Sequence, residues 1–209
     1  MKKVWLLCLS LLMVLGLLGC GSDTGKAEEK AAPAPVQKAE TPAKPAAAGK
    51  GKILVAYFSA TGNTKALAEN AAQALGADLY EIRPEQPYTS QDLNYNDETT
   101  RATVEQKNDS ARPKLADLHA PVADYDTIVL AYPIWWAQAP RIMDTFVESY
   151  DFTGKNLTAV CTSGGSDIGS SADYLQKITK GQANWKPGRL FSPSAGAGEI
   201  KGWFDGLGF

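Results

Sequence analysis

The sequence predicts an α/β domain over residues 53–209, with a parallel sheet flanked by helices. Short apolar runs alternate along the chain with longer amphipathic segments, which is typical of sheets built from β-α-β units. One of these runs, 128–131, is continuously apolar, as expected for a strand that is buried on both faces. The segment has an ordinary single-domain length, so it can enclose one hydrophobic core.

Strands and helices follow one another through the whole domain. Gly76 suits the end of the first helix, and Pro140 suits the first turn of the third helix. The second helix is expected to continue at 114–118. The predicted strands are 53–58, 78–82, 127–131, 157–162 and a weaker 189–192, and the predicted helices are 64–75, 98–107, 141–150, 170–179 and 199–207.

Residues 1–20 have the organisation of an export signal. Two lysines precede an apolar stretch at 4–19, which is shorter than the roughly 20 residues that span a bilayer. The run Leu17-Leu18-Gly19-Cys20 resembles a bacterial lipobox, which implies lipidation of Cys20 and an exported protein anchored to the cell membrane. An ordinary secretory signal and an uncleaved anchor are the alternatives.

Residues 21–52 are predicted to form a disordered tether rich in Ala, Pro, Lys and Glu. Aromatic residues are absent from it and Val36 is its single large aliphatic residue, so little apolar area could offset the entropy of ordering. The prolines favour an extended chain that holds the domain away from a membrane surface.

Composition narrows the functional classes. The formal net charge is −2, and no basic patch suggests a nucleic-acid partner. Cys161 is the one cysteine outside residues 1–20 and lies in a predicted core strand, where a thiol packs as a small apolar group. His119 has no nucleophile or metal-ligand pattern around it, so we assign no catalytic residue and no metal ligand.

A hydroxyl-rich loop, Ser59-Ala60-Thr61-Gly62-Asn63-Thr64, joins the first strand to the first helix. Free N–H groups and the positive end of the helix dipole make such a turn suitable for an anion. Hydroxyls and an amide without a cation suit a phosphate monoester. The nucleotide-triphosphate loop and the dinucleotide fingerprint are both absent here. The alternative is a well-capped helix, with Ser59, Thr61 or Asn63 as the cap.

Two further unusual loops follow the third and fourth strands. One is Pro133-Ile134-Trp135-Trp136, and the other is Ser163-Gly164-Gly165. Ligands of such sheets bind beyond the carboxyl ends of the strands, where the strand order reverses, so all three loops are expected at one crevice. Alternatively, either tryptophan packs in the core and the glycines form a simple turn, in which Asp167 caps the next helix.

These three loops, in this order and at strand ends, resemble those of the bacterial flavodoxin-like FMN-binding family, and the resemblance covers 53–209. It implies a three-layer sandwich, a five-stranded parallel sheet of order 2-1-3-4-5, and FMN as cofactor. For the FMN phosphate it implies side-chain donors from Ser59, Thr61, Asn63 and Thr64 and backbone donors from Ala60 and Gly62. For the isoalloxazine ring it implies one wall from Pro133, Ile134, Trp135 and Trp136 and another from Ser163, Gly164 and Gly165.

The resemblance leaves the reaction open. The favoured interpretation is electron transfer to a redox partner, or reduction of a small acceptor such as a membrane quinone. The alternatives are an NAD(P)H-dependent quinone, nitro or flavin reductase, and a non-redox module that has lost flavin. The loop 133–138 lacks the glycine that flavodoxins often use near the one-electron-reduced flavin, which favours two-electron chemistry. The stretch 88–96 is either a lid or a surface loop.

Overall fold

A computed structural model of the protein describes residues 51–208. The predicted export signal and nearly all of the predicted tether lie outside the described residues. The strands are β1 (Ile53–Tyr57), β2 (Asp78–Glu81), β3 (Thr127–Pro133), β4 (Asn156–Thr162), β5 (Asn184–Trp185) and β6 (Arg189–Leu190), and the helices are α1 (Asn63–Leu75), α2 (Arg101–Lys107), α3 (Arg141–Ser149), α4 (Ser171–Ile178) and α5 (Ala197–Asp205). Within residues 51–208, none of the helices combines the length and the apolar character needed to cross a membrane.

The strands form one parallel sheet of order β2-β1-β3-β4-β5, which confirms the predicted order, and a sixth strand also pairs with β4. The predicted fifth strand is therefore two short strands, β5 and β6. Pro187 lies between them and has no N–H for the ladder, while its carbonyl accepts a 2.8 Å hydrogen bond from the Thr158 hydroxyl. At Gly188 an added Cβ atom would lie 2.7 Å from the Ile168 side chain and 3.0 Å from the Ala159 carbonyl oxygen, so a side chain there would displace its neighbours.

Both faces of the sheet are covered, as the continuously apolar run 128–131 predicts. Side chains of β1 alternate between two cores because successive residues of a strand point to opposite faces. Leu54 and Ala56 belong to the core that contains Phe146 of α3, whereas Val55 belongs to the core that contains Leu67 of α1. The helices thus form two layers around the sheet, and the carboxyl edge of the sheet is left for the loops.

The connection between β2 and β3 differs most from the prediction. Helix α2 begins at Arg101 rather than 98, because Asp97 organises a turn before it and accepts a 2.9 Å hydrogen bond from the Thr99 N–H. The predicted helix at 114–118 is wrong. This segment runs extended beside residues 83–85: the Glu85 N–H donates to the Lys114 carbonyl, and the pairing partner of Pro84 is Leu115.

Candidate functional site

Loops from the carboxyl ends of β1, β3 and β4 meet at one cleft of about 200 Å³. We call it the polar cleft. None of its lining residues is charged, so an anion bound there would be held by hydrogen-bond donors and dipoles alone. The lining consists of Thr61, Asn63, Pro133, Ile134, Trp135, Thr162, Ser163, Gly164 and Pro193. Three loops that are far apart in the sequence are therefore brought together as predicted, and Thr162 and Pro193 are additions that we did not assign to the site.

The start of α1 has the features of an anion site. Gly62 is its cap residue and has a left-handed φ of +91°, which only glycine adopts without strain. Because glycine has no side chain, no cap satisfies the N–H groups of the first turn. The Ser59 hydroxyl accepts a 3.1 Å hydrogen bond from the Gly62 N–H. Because Gly62 precedes the first residue of the helix, this bond satisfies none of the N–H groups of the first turn. The Asn63 amide reaches only the Thr61 hydroxyl, at 3.5 Å.

Thr64 differs from the rest of this loop. Its side chain is buried, and its hydroxyl lies 2.8 Å from the hydroxyl of Thr162 at the end of β4. This pair ties α1 to the sheet beneath the loop, so the expected role of the Thr64 side chain as a phosphate donor competes with a structural one. Lys65, the next residue, points to solvent, with its ammonium 3.9 Å from the carboxylate of Glu69.

The two adjacent tryptophans have different environments. Trp135 is partly buried and packs edge-to-face on Phe58 and Tyr88, with ring centroids 5.6 and 5.2 Å away. Trp136 is 42% exposed. Edge-to-face pairs of this kind stabilise aromatic clusters beyond the area they bury. Trp135 therefore packs between the core and the clefts, whereas the indole of Trp136 is exposed and can contact a ligand.

Trp136 and Ala137 form a turn in an unfavourable conformation. Their φ angles are +47° and +61°, and the N–H and carbonyl groups of Trp135 and Gln138 pair across them at 2.9 and 3.0 Å. Two-residue hairpins with two positive φ angles normally contain Asn and Gly. Residues with a side chain in this region cost about 1–2 kcal/mol each. Although this loop contains no glycine, two of its residues therefore adopt the left-handed conformation.

Trp135 also lines a second cleft, of about 430 Å³, which we call the aromatic cleft. Its lining is uncharged and mostly apolar, which suits one end of a flat aromatic ligand. It shares three residues with the polar cleft, so a single elongated molecule could occupy both. The lining consists of Thr61, Leu93, Tyr95, Ala102, Ile134, Trp135 and Trp136.

The stretch 88–96 forms a side wall of the aromatic cleft. Leu93 and Tyr95 line it, and Tyr95 is 71% exposed. The stretch is attached to α2 through Tyr88, whose hydroxyl donates to the Glu105 carboxylate and whose ring lies 4.1 Å from the Arg101 guanidinium. Burial and this carboxylate raise the pKa of Tyr88, so the phenol stays protonated and keeps donating.

The glycine-rich loop after β4 is organised by its own serine. The Ser163 hydroxyl accepts hydrogen bonds from the N–H groups of Gly165, at 3.1 Å, and Ser166, at 2.8 Å. Asp167 does not cap α4, since its carboxylate accepts from the Gly169 N–H and the cap residue is Ser170. A side chain at Gly164 or Gly165 would meet open space, so packing within the chain does not require these glycines.

Not every predicted site residue lines these two clefts. Ser59 and Ala60 line a third pocket of about 380 Å³ towards β2, together with Phe58 and Tyr88. Gly62, Thr64 and Gly165 line none of the three. Cys161 is buried in β4 as expected, and burial raises the pKa of its thiol to about 12, which removes it from thiolate chemistry at neutral pH.

Comparison with known proteins agrees with this fold. The flavodoxin family profile matches residues 52–207. The chain belongs to the flavodoxin family. A comparison with curated proteins gives no match.

Among solved structures, a candidate flavoprotein from Bacteroides eggerthii is 43% identical over 77% of this chain and 99% of its own, with a TM-score of 0.72. A second candidate flavoprotein, from Bacteroides uniformis, is 42% identical over 75% of this chain and 99% of its own, with a TM-score of 0.69. A flavoprotein from Lactobacillus acidophilus, solved in complex with FMN, shares the fold at 16% identity and a TM-score of 0.54, over 77% of this chain and 100% of its own.

Proposed function

We propose that this protein binds FMN across the two clefts and transfers electrons to a redox partner or a small acceptor. The observation that carries the proposal is the meeting of the uncapped start of α1 with the tryptophan and glycine loops, at the switch point of the sheet. The Lactobacillus acidophilus flavoprotein, which shares this fold, is solved in complex with FMN.

The residues present fit the phosphate end of FMN. The first-turn N–H groups of α1 have no intrahelical partner, and the hydroxyl of Thr61 and the amide of Asn63 line the same cleft. The left-handed Gly62 lets the loop turn so that these donors converge. Without charged lining residues, phosphate recognition rests on donor geometry rather than on a counterion.

The aromatic cleft fits the ring end. Trp136 offers an exposed indole for stacking, and Ile134 and Leu93 exclude water from the neighbouring surface. Bound FMN supplies transfer of one or two electrons at its isoalloxazine ring. A lining without cations does not stabilise added negative charge on that ring, which favours a low reduction potential.

The decisive experiment is a titration of the purified protein with FMN and with riboflavin, followed by flavin and tryptophan emission. The expected result is tighter binding of FMN than of riboflavin, with quenching of both emissions. Trp136→Phe should reduce the tryptophan quenching. The matched variant Trp203→Phe, on α5 against Phe191, should not. Absence of binding for both flavins would refute the proposal and leave a non-redox binding module.

We also propose that the protein is exported and anchored to the cell membrane by lipid on Cys20. The support is the lysines, apolar stretch and Leu17-Leu18-Gly19-Cys20 run of residues 1–20. A membrane location brings the domain near redox partners that are themselves in the membrane, such as quinones. Cys20→Ala should move the protein from the membrane to the soluble fraction of cells, and unchanged membrane association would contradict lipid anchoring.

A further inference from the structure

One side chain of α2 forms hydrogen bonds with the backbone on both sides of the strained Trp136–Ala137 turn. The side-chain amide of Gln106 donates to the carbonyls of Trp135, at 3.2 Å, and Ala139, at 3.0 Å. These two carbonyls flank the turn, so one amide group links both of its ends. Gln106 is only 8% exposed, which protects both hydrogen bonds from water.

Gln106 is itself held by a buried arginine of α3. The Arg141 guanidinium donates to the backbone carbonyl of Gln106, at 2.9 Å, and to the Asp144 carboxylate, at 3.2 Å. It also contacts the carboxylate of Asp109 just after α2. Arg141 and Asp144 are fully buried, and buried pairs add little stability compared with apolar packing. Arg141 thereby links α2 to α3 and fixes the place from which Gln106 reaches the turn.

The Gln106 side chain is a costly choice unless its donors are needed. Its carbonyl oxygen Oε1 is buried and has no hydrogen-bond partner in the structure. A buried unpartnered acceptor is destabilising, so an apolar side chain of the same size would serve packing better. An apolar side chain, however, cannot donate to the two carbonyls beside the turn. Without these hydrogen bonds, the two non-glycine residues of the turn would move out of the left-handed region.

We propose that Gln106 is a positioning residue, which holds Trp136 and Ala137 in their left-handed conformations and thereby sets the orientation of the Trp136 indole. Its effect on flavin rests on the proposed function, whereas its effect on the turn does not. Gln106 acts through the aromatic wall and not through the phosphate loop. Its loss therefore weakens FMN and riboflavin by the same factor.

The test variant is Gln106→Met, which keeps the length of the side chain and removes both donors. Its matched control is Gln73→Met on the exposed face of α1. We expect Gln106→Met to weaken FMN and riboflavin binding about tenfold each, as for the loss of two hydrogen bonds. Adding Ala137→Gly should restore both affinities to within about threefold of the wild type, since glycine takes a positive φ without strain.

A second readout needs no flavin. In the flavin-free protein, Gln106→Met should speed hydrogen exchange about tenfold at the Trp135 and Gln138 N–H groups that close the turn, and Ala137→Gly should slow it again. If the wild type binds no flavin, the proposed function fails, and these two amides still test the inference. Unchanged exchange in Gln106→Met overturns it, whatever the affinities.

The same variants separate positioning from a general loss of stability. A merely structural role would speed exchange throughout the α2–α3 region, and glycine at position 137 would not reverse it. If Gln106→Met fails to fold, the double variant decides the question. Recovery of folding and of slow Trp135 and Gln138 exchange supports the inference, and no recovery overturns it.

Discussion

Gly62 offers the sharpest test of how the first loop is built. It caps α1 with a φ of +91° and a ψ of −18°. In Gly62→Ala the added methyl group meets no atom within 4 Å, so steric packing adds no cost and the backbone conformation is the only penalty. That penalty is about 1–2 kcal/mol for a residue with a side chain in the left-handed region.

Gly196 is a matched control within the same chain. It is also the cap residue of a helix, α5, and a methyl group there also meets open space, but its φ is −75°. The two substitutions to alanine share the loss of a glycine cap and the reduced entropy of the unfolded chain. The difference between their unfolding free energies therefore isolates the positive φ.

Urea unfolding of the flavin-free variants gives this difference directly. We expect Gly62→Ala to be less stable than Gly196→Ala by about 1–2 kcal/mol, which corresponds to a melting temperature lower by about 2–8 °C. If the altered loop relaxes instead, the loss of stability becomes smaller and FMN must restore the left-handed form on binding. In that case FMN affinity should fall by up to about 5- to 30-fold, with a smaller change for riboflavin.

Two results would refute this reasoning. Equal stabilities of Gly62→Ala and Gly196→Ala, together with an unchanged FMN affinity of Gly62→Ala, would mean that the left-handed cap is not the conformation of the loop in solution. Equal losses of FMN and riboflavin affinity in Gly62→Ala would mean that the loop does not recognise phosphate. The Gly196→Ala variant should bind both flavins like the wild type, since α5 lines neither cleft.

Three further predictions follow from buried groups. Thr64→Val should lower stability by about 1–3 kcal/mol because it leaves the Thr162 hydroxyl unpaired, and Thr64→Val with Thr162→Val should recover most of it in urea titrations. Because burial raises the pKa of Cys161 to about 12, a thiol reagent at about pH 8 should modify its peptide only in urea, as seen by mass spectrometry. Burial raises the pKa of the Asp144 carboxyl to about 6, so the folded state binds a proton at this group more tightly than the unfolded state does. The contribution of Asp144 to the free energy of unfolding therefore rises as the pH falls from 6 towards 4. The stability advantage of the wild type over Asp144→Asn should thus be larger at about pH 4.5 than at about pH 7.5.

Local patterns were sufficient to predict the frame of the molecule. β1 and β3 are mostly apolar, and β4 combines apolar residues with threonines. All three are central strands whose side chains are buried on both faces. The loops after them are compact in sequence and rich in hydroxyls, glycine or tryptophan. Because the parallel order brings their carboxyl ends together, the polar cleft could be predicted from residues 59–64, 133–136 and 163–165.

The wall that Leu93 and Tyr95 add to the aromatic cleft could not be predicted in this way. Leu93 and Tyr95 lie in a polar stretch without periodicity, and their place depends on the contact of Tyr88 with Glu105 and Arg101. Such contacts between side chains of different segments leave no local pattern. The segment 114–118 has helical composition, yet its backbone pairs with residues 83–85, so a tertiary contact overrides its propensity.

The two halves of the site therefore depend on the chain in different ways, and flavin chemistry can separate them. The phosphate half is built from consecutive residues around one helix start, so a variant there should change the ratio of FMN to riboflavin affinity. The ring half depends on Gln106 of α2 and Arg141 of α3, which are distant in sequence from Trp136. A variant in this network should change both affinities and leave their ratio fixed. The ratio of the two affinities thus identifies which half a substitution has disturbed, even when the substituted residue contacts no ligand.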